Sequence, residues 1–88
     1  MTKETVMIEN KTGIRASLAS VFANTAVKFK SRIQIRAKCK TINAKSILMI
    51  MHLNLTKGTK ITIVADGPDE EKAVKTLKEL IESKFGEE

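Results

Sequence analysis

Four stretches hold side chains able to do chemistry. The first is "KTGIRAS", residues Lys11 to Ser17, a short polar turn between the strand-like "TVMI" and the apolar helical pattern "LASVFANTAVKF". A turn that opens a helix is where small α/β proteins place a phosphate or a nucleophile, because free N–H groups point outward there. This turn has no histidine, cysteine or carboxylate. Its guanidinium, Arg15, only donates hydrogen bonds, and Ser17 has no base beside it to raise its nucleophilicity. The chemistry left to Arg15, Ala16 and Ser17 is to hold an anion without reacting with it. The second stretch is Ser46, set before the apolar run "ILMIM" as the N-cap of a short helix. The third is His52, the single histidine, on a helix body and read as a surface polar residue. The fourth is the single cysteine, Cys39. It can form no internal disulfide, so a reducing cytoplasm is the expected compartment.

The elements that position these groups follow from hydrophobic periodicity. In "TVMIE", Val6 and Ile8 alternate with Met7 and Glu9, which predicts a strand. Leu18, Val21, Phe22, Thr25, Ala26 and Phe29 recur at helical spacing and predict one buried stripe. "RIQIRAK" alternates strictly, with Ile33, Ile35 and Ala37 facing in and Arg32, Gln34, Arg36 and Lys38 facing out. That is a half-buried antiparallel strand with a basic open face, and "CKTIN" is its partner. In "SILMIMHL", Ile50 and Leu53 are expected to bury, which leaves Ile47, Leu48 and Met51 as an exposed apolar patch of the kind that binds proteins. Asn54 is expected to close this helix in the left-handed conformation. "KITIVAD" is a further strand with Ile61, Ile63 and Ala65 inside. After the "DGP" turn, Asp69 starts the last helix, with Glu70 and Glu71 against its dipole. This helix buries Val74, Leu77, Leu80 or Ile81, and Phe85, and Gly86 ends it. The order β-α-β-β-α-β-α predicts an α+β two-layer open-faced sandwich, with a four-stranded antiparallel sheet and three helices on one face.

Eighty-eight residues with 42% apolar and 30% charged side chains fit one globular domain spanning 1–88 and argue against disorder. No apolar run approaches the length of a membrane span or a signal-peptide core, so neither membrane insertion nor export is expected. No cluster of metal-ligand residues and no cofactor motif is visible, so neither is expected. Charge is uneven: between Asn10 and Ala65 there are eleven basic residues and no acidic one. That asymmetry points to an anionic partner. Nucleic acid lacks its usual accompaniment, since the chain has no Trp or Tyr and three Phe, too few for base stacking.

The element order together with local motifs resembles the HPr family, the histidine-containing phosphocarrier proteins of the bacterial phosphotransferase system. "TGIRASLA" matches the family's active-site turn, Thr-Gly-Ile/Leu-His-Ala-Arg-Pro-Ala. "NAKSILMIM" followed by Leu53 matches its regulatory segment, and "ADGPDEEKA" matches the start of its last helix. Three departures bear on function. Arg15 stands where the family carries its phosphorylatable histidine, Ser17 replaces an arginine and Leu18 a proline. The family's reaction needs a neutral imidazole nitrogen as nucleophile, which a permanently protonated guanidinium cannot supply. The resemblance therefore implies a non-enzymatic protein without phosphocarrier activity at the usual position, similar to the catabolite-repression HPr proteins of Gram-positive bacteria.

The family's regulatory serine is kept as Ser46. This implies phosphorylation by an HPr kinase/phosphorylase and binding to a catabolite-control repressor, with enzyme I or enzyme IIA surfaces as further candidate partners. Ser46 read as an N-cap alone is the plainer alternative. Met49 and His52 depart from the family's glycine and serine. The relatives also make monomer and homodimer both open. The competing reading is a phosphocarrier fold repurposed as a basic anion- or nucleic-acid-binding module, using Arg32, Arg36 and Lys38.

Overall fold

A computed structural model describes residues 1–8, 16–37, 39–53, 56 and 58–82, with backbone alone at 16 and 17. The elements follow in the order β1 (Thr2–Met7), α1 (Ala16–Ala26), β2 (Arg32–Ala37), β3 (Lys40–Asn43), α2 (Ile47–His52), β4 (Lys60–Asp66) and α3 (Glu70–Glu82). The four strands form one antiparallel sheet ordered β1-β4-β2-β3. This is the expected α+β sandwich, with the helices on one face of the sheet.

Strand alternation sorts the two faces. Val6 opposes Ile61, and Ile35 sits between Ile63 and Ile42. These residues are buried beneath the helices with Ile8, Ile33 and Ala65. Thr2 and Glu4 share that face at its margin. The Thr2 hydroxyl donates to Glu70 at 2.6 Å, and Glu4 accepts from the Lys78 ammonium at 2.9 Å. On the other face stand Arg32 and Arg36, both exposed. Lys38 lies outside the described residues.

Several expectations are corrected. The first strand covers Thr2–Met7 rather than residues 5–9, since pairing with β4 runs back to Ala65. The buried stripe of α1 consists of Leu18, Ala19, Phe22, Ala23 and Ala26. Val21 is 43% exposed, and Thr25 turns its hydroxyl back to the Val21 carbonyl at 2.8 Å. The small alanines carry the contact in place of the larger residues because they let the helix approach its neighbours closely. Phe29 packs on the core beyond the helix end, only partly buried. On the open face, Val64 is buried although no layer covers it. It lies on a central strand between Lys3 and Gln34, and long flanking side chains screen such a position from water.

The last helix buries Ala73, Val74, Leu77 and Ile81, so Ile81 rather than Leu80 takes the deep position. Phe85, Gly86 and Asn54 lie outside the described residues. Asp69 precedes α3, but its carboxylate leaves the helix and grips the α1–β2 loop. It accepts from the N–H groups of Lys30 and Ser31, both at 2.9 Å, and from the Ser31 hydroxyl. The Ser31 hydroxyl first, then the Lys30 N–H, hold the Asp69 carboxyl below its ordinary pKa. Glu70 is pulled down to about 2 by the Met1 amine, the Thr2 hydroxyl and the Gly67 N–H. The β4–α3 corner is tight: a Cβ on Gly67 would stand 2.6 Å from the Ser31 Cα. Only glycine lets these two backbones meet.

Candidate functional site

The β3–α2 corner carries the regulatory candidate. Ser46 holds an extended backbone conformation (φ −105°, ψ 113°), and its hydroxyl oxygen accepts the Met49 N–H at 3.3 Å. This is the expected N-cap. The turn before it is fixed by Asn43, whose side-chain oxygen accepts the Lys45 N–H at 2.9 Å and whose carbonyl accepts the Ser46 N–H at 3.1 Å. The Lys45 ammonium reaches the Phe29 carbonyl at 2.8 Å. Ser46 is half-buried, so its hydroxyl sits on a defined corner.

Helix α2 is amphipathic in the expected sense. Ile50 and Leu53 are buried, whereas Ile47, Leu48 and Met51 are exposed, Leu48 at 67%. Met49 is a further exposed apolar residue of α2. Val21 is exposed on α1, the helix against which α2 packs. Helical spacing places Val21 in the buried stripe, but it defines the stripe and not which edge of it meets solvent. His52 is exposed on the helix, as expected.

Of the anion-binding candidates, Arg15 lies outside the described residues. Ala16 and Ser17 are in the first turn of α1, and their side chains are not described. Cys39 is exposed and adopts a positive φ of 64°. Among the described residues, no cluster of His, Cys, Asp or Glu could hold a metal ion, and no helix is long and apolar enough to cross a membrane.

The class is an α+β open-faced antiparallel sandwich with three helices on one face and a serine-capped short helix bearing an apolar patch. The sequence profile of the family described as "PTS HPr component phosphorylation site" matches residues 2–83, and the chain belongs to this HPr family of the phosphotransferase system. It is 39% identical over 87 residues to the phosphocarrier protein HPr of Neisseria meningitidis, covering 99% of this chain and 98% of that protein. The crystal structure of HPr-C-His from Thermoanaerobacter tengcongensis superposes with a TM-score of 0.96 at 49% identity, over 100% of this chain and 99% of that one. Crh, the catabolite repression protein of Bacillus subtilis, superposes at 0.75 with 33% identity, over 96% and 97% of the two chains. That protein was crystallised as an intertwined dimer with a swapped domain.

Proposed function

We propose that this chain is a regulatory protein-binding module of the phosphotransferase system, switched by phosphorylation of Ser46, and that it does not carry a phosphoryl group at the family's histidine position. The carrying observation is Ser46 on a fixed corner, directly continuous with the exposed Ile47, Leu48 and Met51. A kinase would move the γ-phosphoryl of ATP to the Ser46 oxygen, releasing ADP and a proton. The product adds about −1.5 to −2 of charge beside an apolar surface. A partner that pairs cations with the phosphate and apolar side chains with Leu48 distinguishes the two states by both terms. Arg15 supports the loss of phosphocarrier activity, since a guanidinium has no lone pair to offer. In this reading the partners are an HPr kinase/phosphorylase and a catabolite-control repressor, in the cytoplasm, and Arg15, Ala16 and Ser17 hold an anion on the partner surface. The protomer works as a monomer or a homodimer.

Intact mass after incubation with an HPr kinase and ATP tests this, with Ser46→Ala alongside. A single added phosphate that is lost in the variant supports the reading, and no added phosphate refutes it. Incubation with enzyme I and phosphoenolpyruvate is expected to add none. The second reading, a basic anion-binding module, is favoured by Arg32 and Arg36, which make no ion pair among the described residues.

A further inference from the structure

We propose that the cleft between the α1–β2 loop, the β3–α2 turn and the β4–α3 corner binds a small monophosphorylated polyol, the chemical class of a sugar phosphate. The cleft has a volume of about 560 Å³, within the range of small-ligand sites. Three cations from two chain segments line it: Lys30 and Arg32 at the entry to β2, and Lys45 before α2.

Only tertiary folding brings Lys45 to the segment that carries Lys30 and Arg32. Neither Lys30 nor Arg32 makes an ion pair among the described residues. Arg32 stands in register beside Asp66 and still makes none with it. Lys45 gives one donor to the Phe29 carbonyl, which fixes its ammonium and, among the described residues, leaves its other two donors without a partner. Converging positive charges repel, and a dianion placed among them relieves that cost while matching the guanidinium fork.

The rest of the rim selects what the phosphate is attached to. Asp66 offers a carboxylate that accepts hydroxyl protons and repels a second phosphate. Asn43 has its oxygen committed to the Lys45 N–H, so its NH₂ group is left to donate. Among the described residues no aromatic side chain lines the cleft, so they give a nucleobase nothing to stack on. A single phosphate joined to hydroxyl groups satisfies all of these groups together. The frame is preorganised, which lowers the ordering cost of binding. Asp69 clamps the Lys30 and Ser31 N–H groups, and the Ser31 hydroxyl on the floor is spent on the same carboxylate.

The test is an amide chemical-shift titration of the full chain with glucose 6-phosphate, compared with glucose, inorganic phosphate and a single-stranded oligonucleotide. Shifts concentrated at residues 30–33, 43–45 and 66–67 are expected, saturating with glucose 6-phosphate and weaker with inorganic phosphate or glucose. Arg32→Gln and Lys30→Gln alter exposed side chains and leave the fold intact. Each is expected to weaken binding about tenfold, as the loss of a charged hydrogen bond does, whereas Lys75→Gln on α3 does not. The proposal is overturned by shifts spread over the whole basic surface. Equal affinity for inorganic phosphate, or preference for the oligonucleotide, overturns it as well.

Discussion

The meeting of Gly67 and Ser31 can be tested by one methyl group. In Gly67→Ala the new Cβ would lie 2.6 Å from the Ser31 Cα, 2.7 Å from its Oγ and 2.9 Å from its Cβ. Carbon atoms pack at about 3.5–4.0 Å, so the overlap with the Cα is about 1 Å. The Oγ could rotate away, but the Cα belongs to the backbone. That backbone is tied to Asp69 through the Ser31 N–H and hydroxyl, so relief requires the corner and the α1–β2 loop to separate. Overpacking of this kind costs about 1–3 kcal/mol, and contact with an immobile atom places the value near 2. For a domain of this size, about 4–8 °C is lost per kcal/mol, so a fall of roughly 10–15 °C in Tm is expected. Thermal and urea unfolding followed by far-UV circular dichroism measure it, with the urea slope unchanged. Gly58→Ala is the comparison: a Cβ there meets nothing within 4 Å, and the backbone has φ 92°. Its cost is conformational alone, about 1–2 kcal/mol. A Tm change below about 3 °C for Gly67→Ala would refute the close approach, and with it the account of why this corner is glycine.

Ser46→Ala removes the N-cap, and because the Met49 contact is long at 3.3 Å the loss should fall at the low end of the range for such caps, about 0.5–1 kcal/mol by denaturant unfolding. Leu48→Ala is expected to stay within about 0.5 kcal/mol of the parent while abolishing binding to a repressor or kinase. Ile50→Ala, two residues along and on the fully buried side of the helix, should cost about 2–5 kcal/mol. Asp69 and Glu70 have folded pKa values below their unfolded ones. The stability they confer is therefore complete above about pH 5, just over the unfolded carboxyl range, and is lost as pH falls toward 2. Asp69→Ala should flatten this acid limb in a pH series of urea midpoints, and an unchanged limb would rule out the clamp. Cys39→Asn places a residue that tolerates positive φ at a position with φ 64°, and an equal or slightly raised Tm is expected.

Periodicity alone placed most of the architecture. Ile33 and Ile35, Ile61 and Ile63, and Ile50 and Leu53 took their expected places because period 2 and period 3.6 assign each residue to a face before any partner is known. Ser46 as a cap was equally legible, since capping is a local hydrogen bond between residues three apart. The patch at Ile47, Leu48 and Met51 followed by subtraction, because a helix of two turns can bury only one side.

Tertiary contacts decided the rest. The sequence pattern starts the last helix at Asp69, but that its carboxylate reaches Ser31 depends on a loop 38 residues away in sequence. Val21 and Ala23 share a helix, and only docking against neighbouring elements determined that the alanine is buried and the valine exposed. Val64 is screened by strands whose order no periodicity encodes. The cleft rimmed by Lys30, Arg32, Lys45 and Asp66 arises for the same reason. Local sequence reports which face a side chain takes, whereas convergence of distant charges exists only once the strand order β1-β4-β2-β3 brings their elements to one end of the sheet.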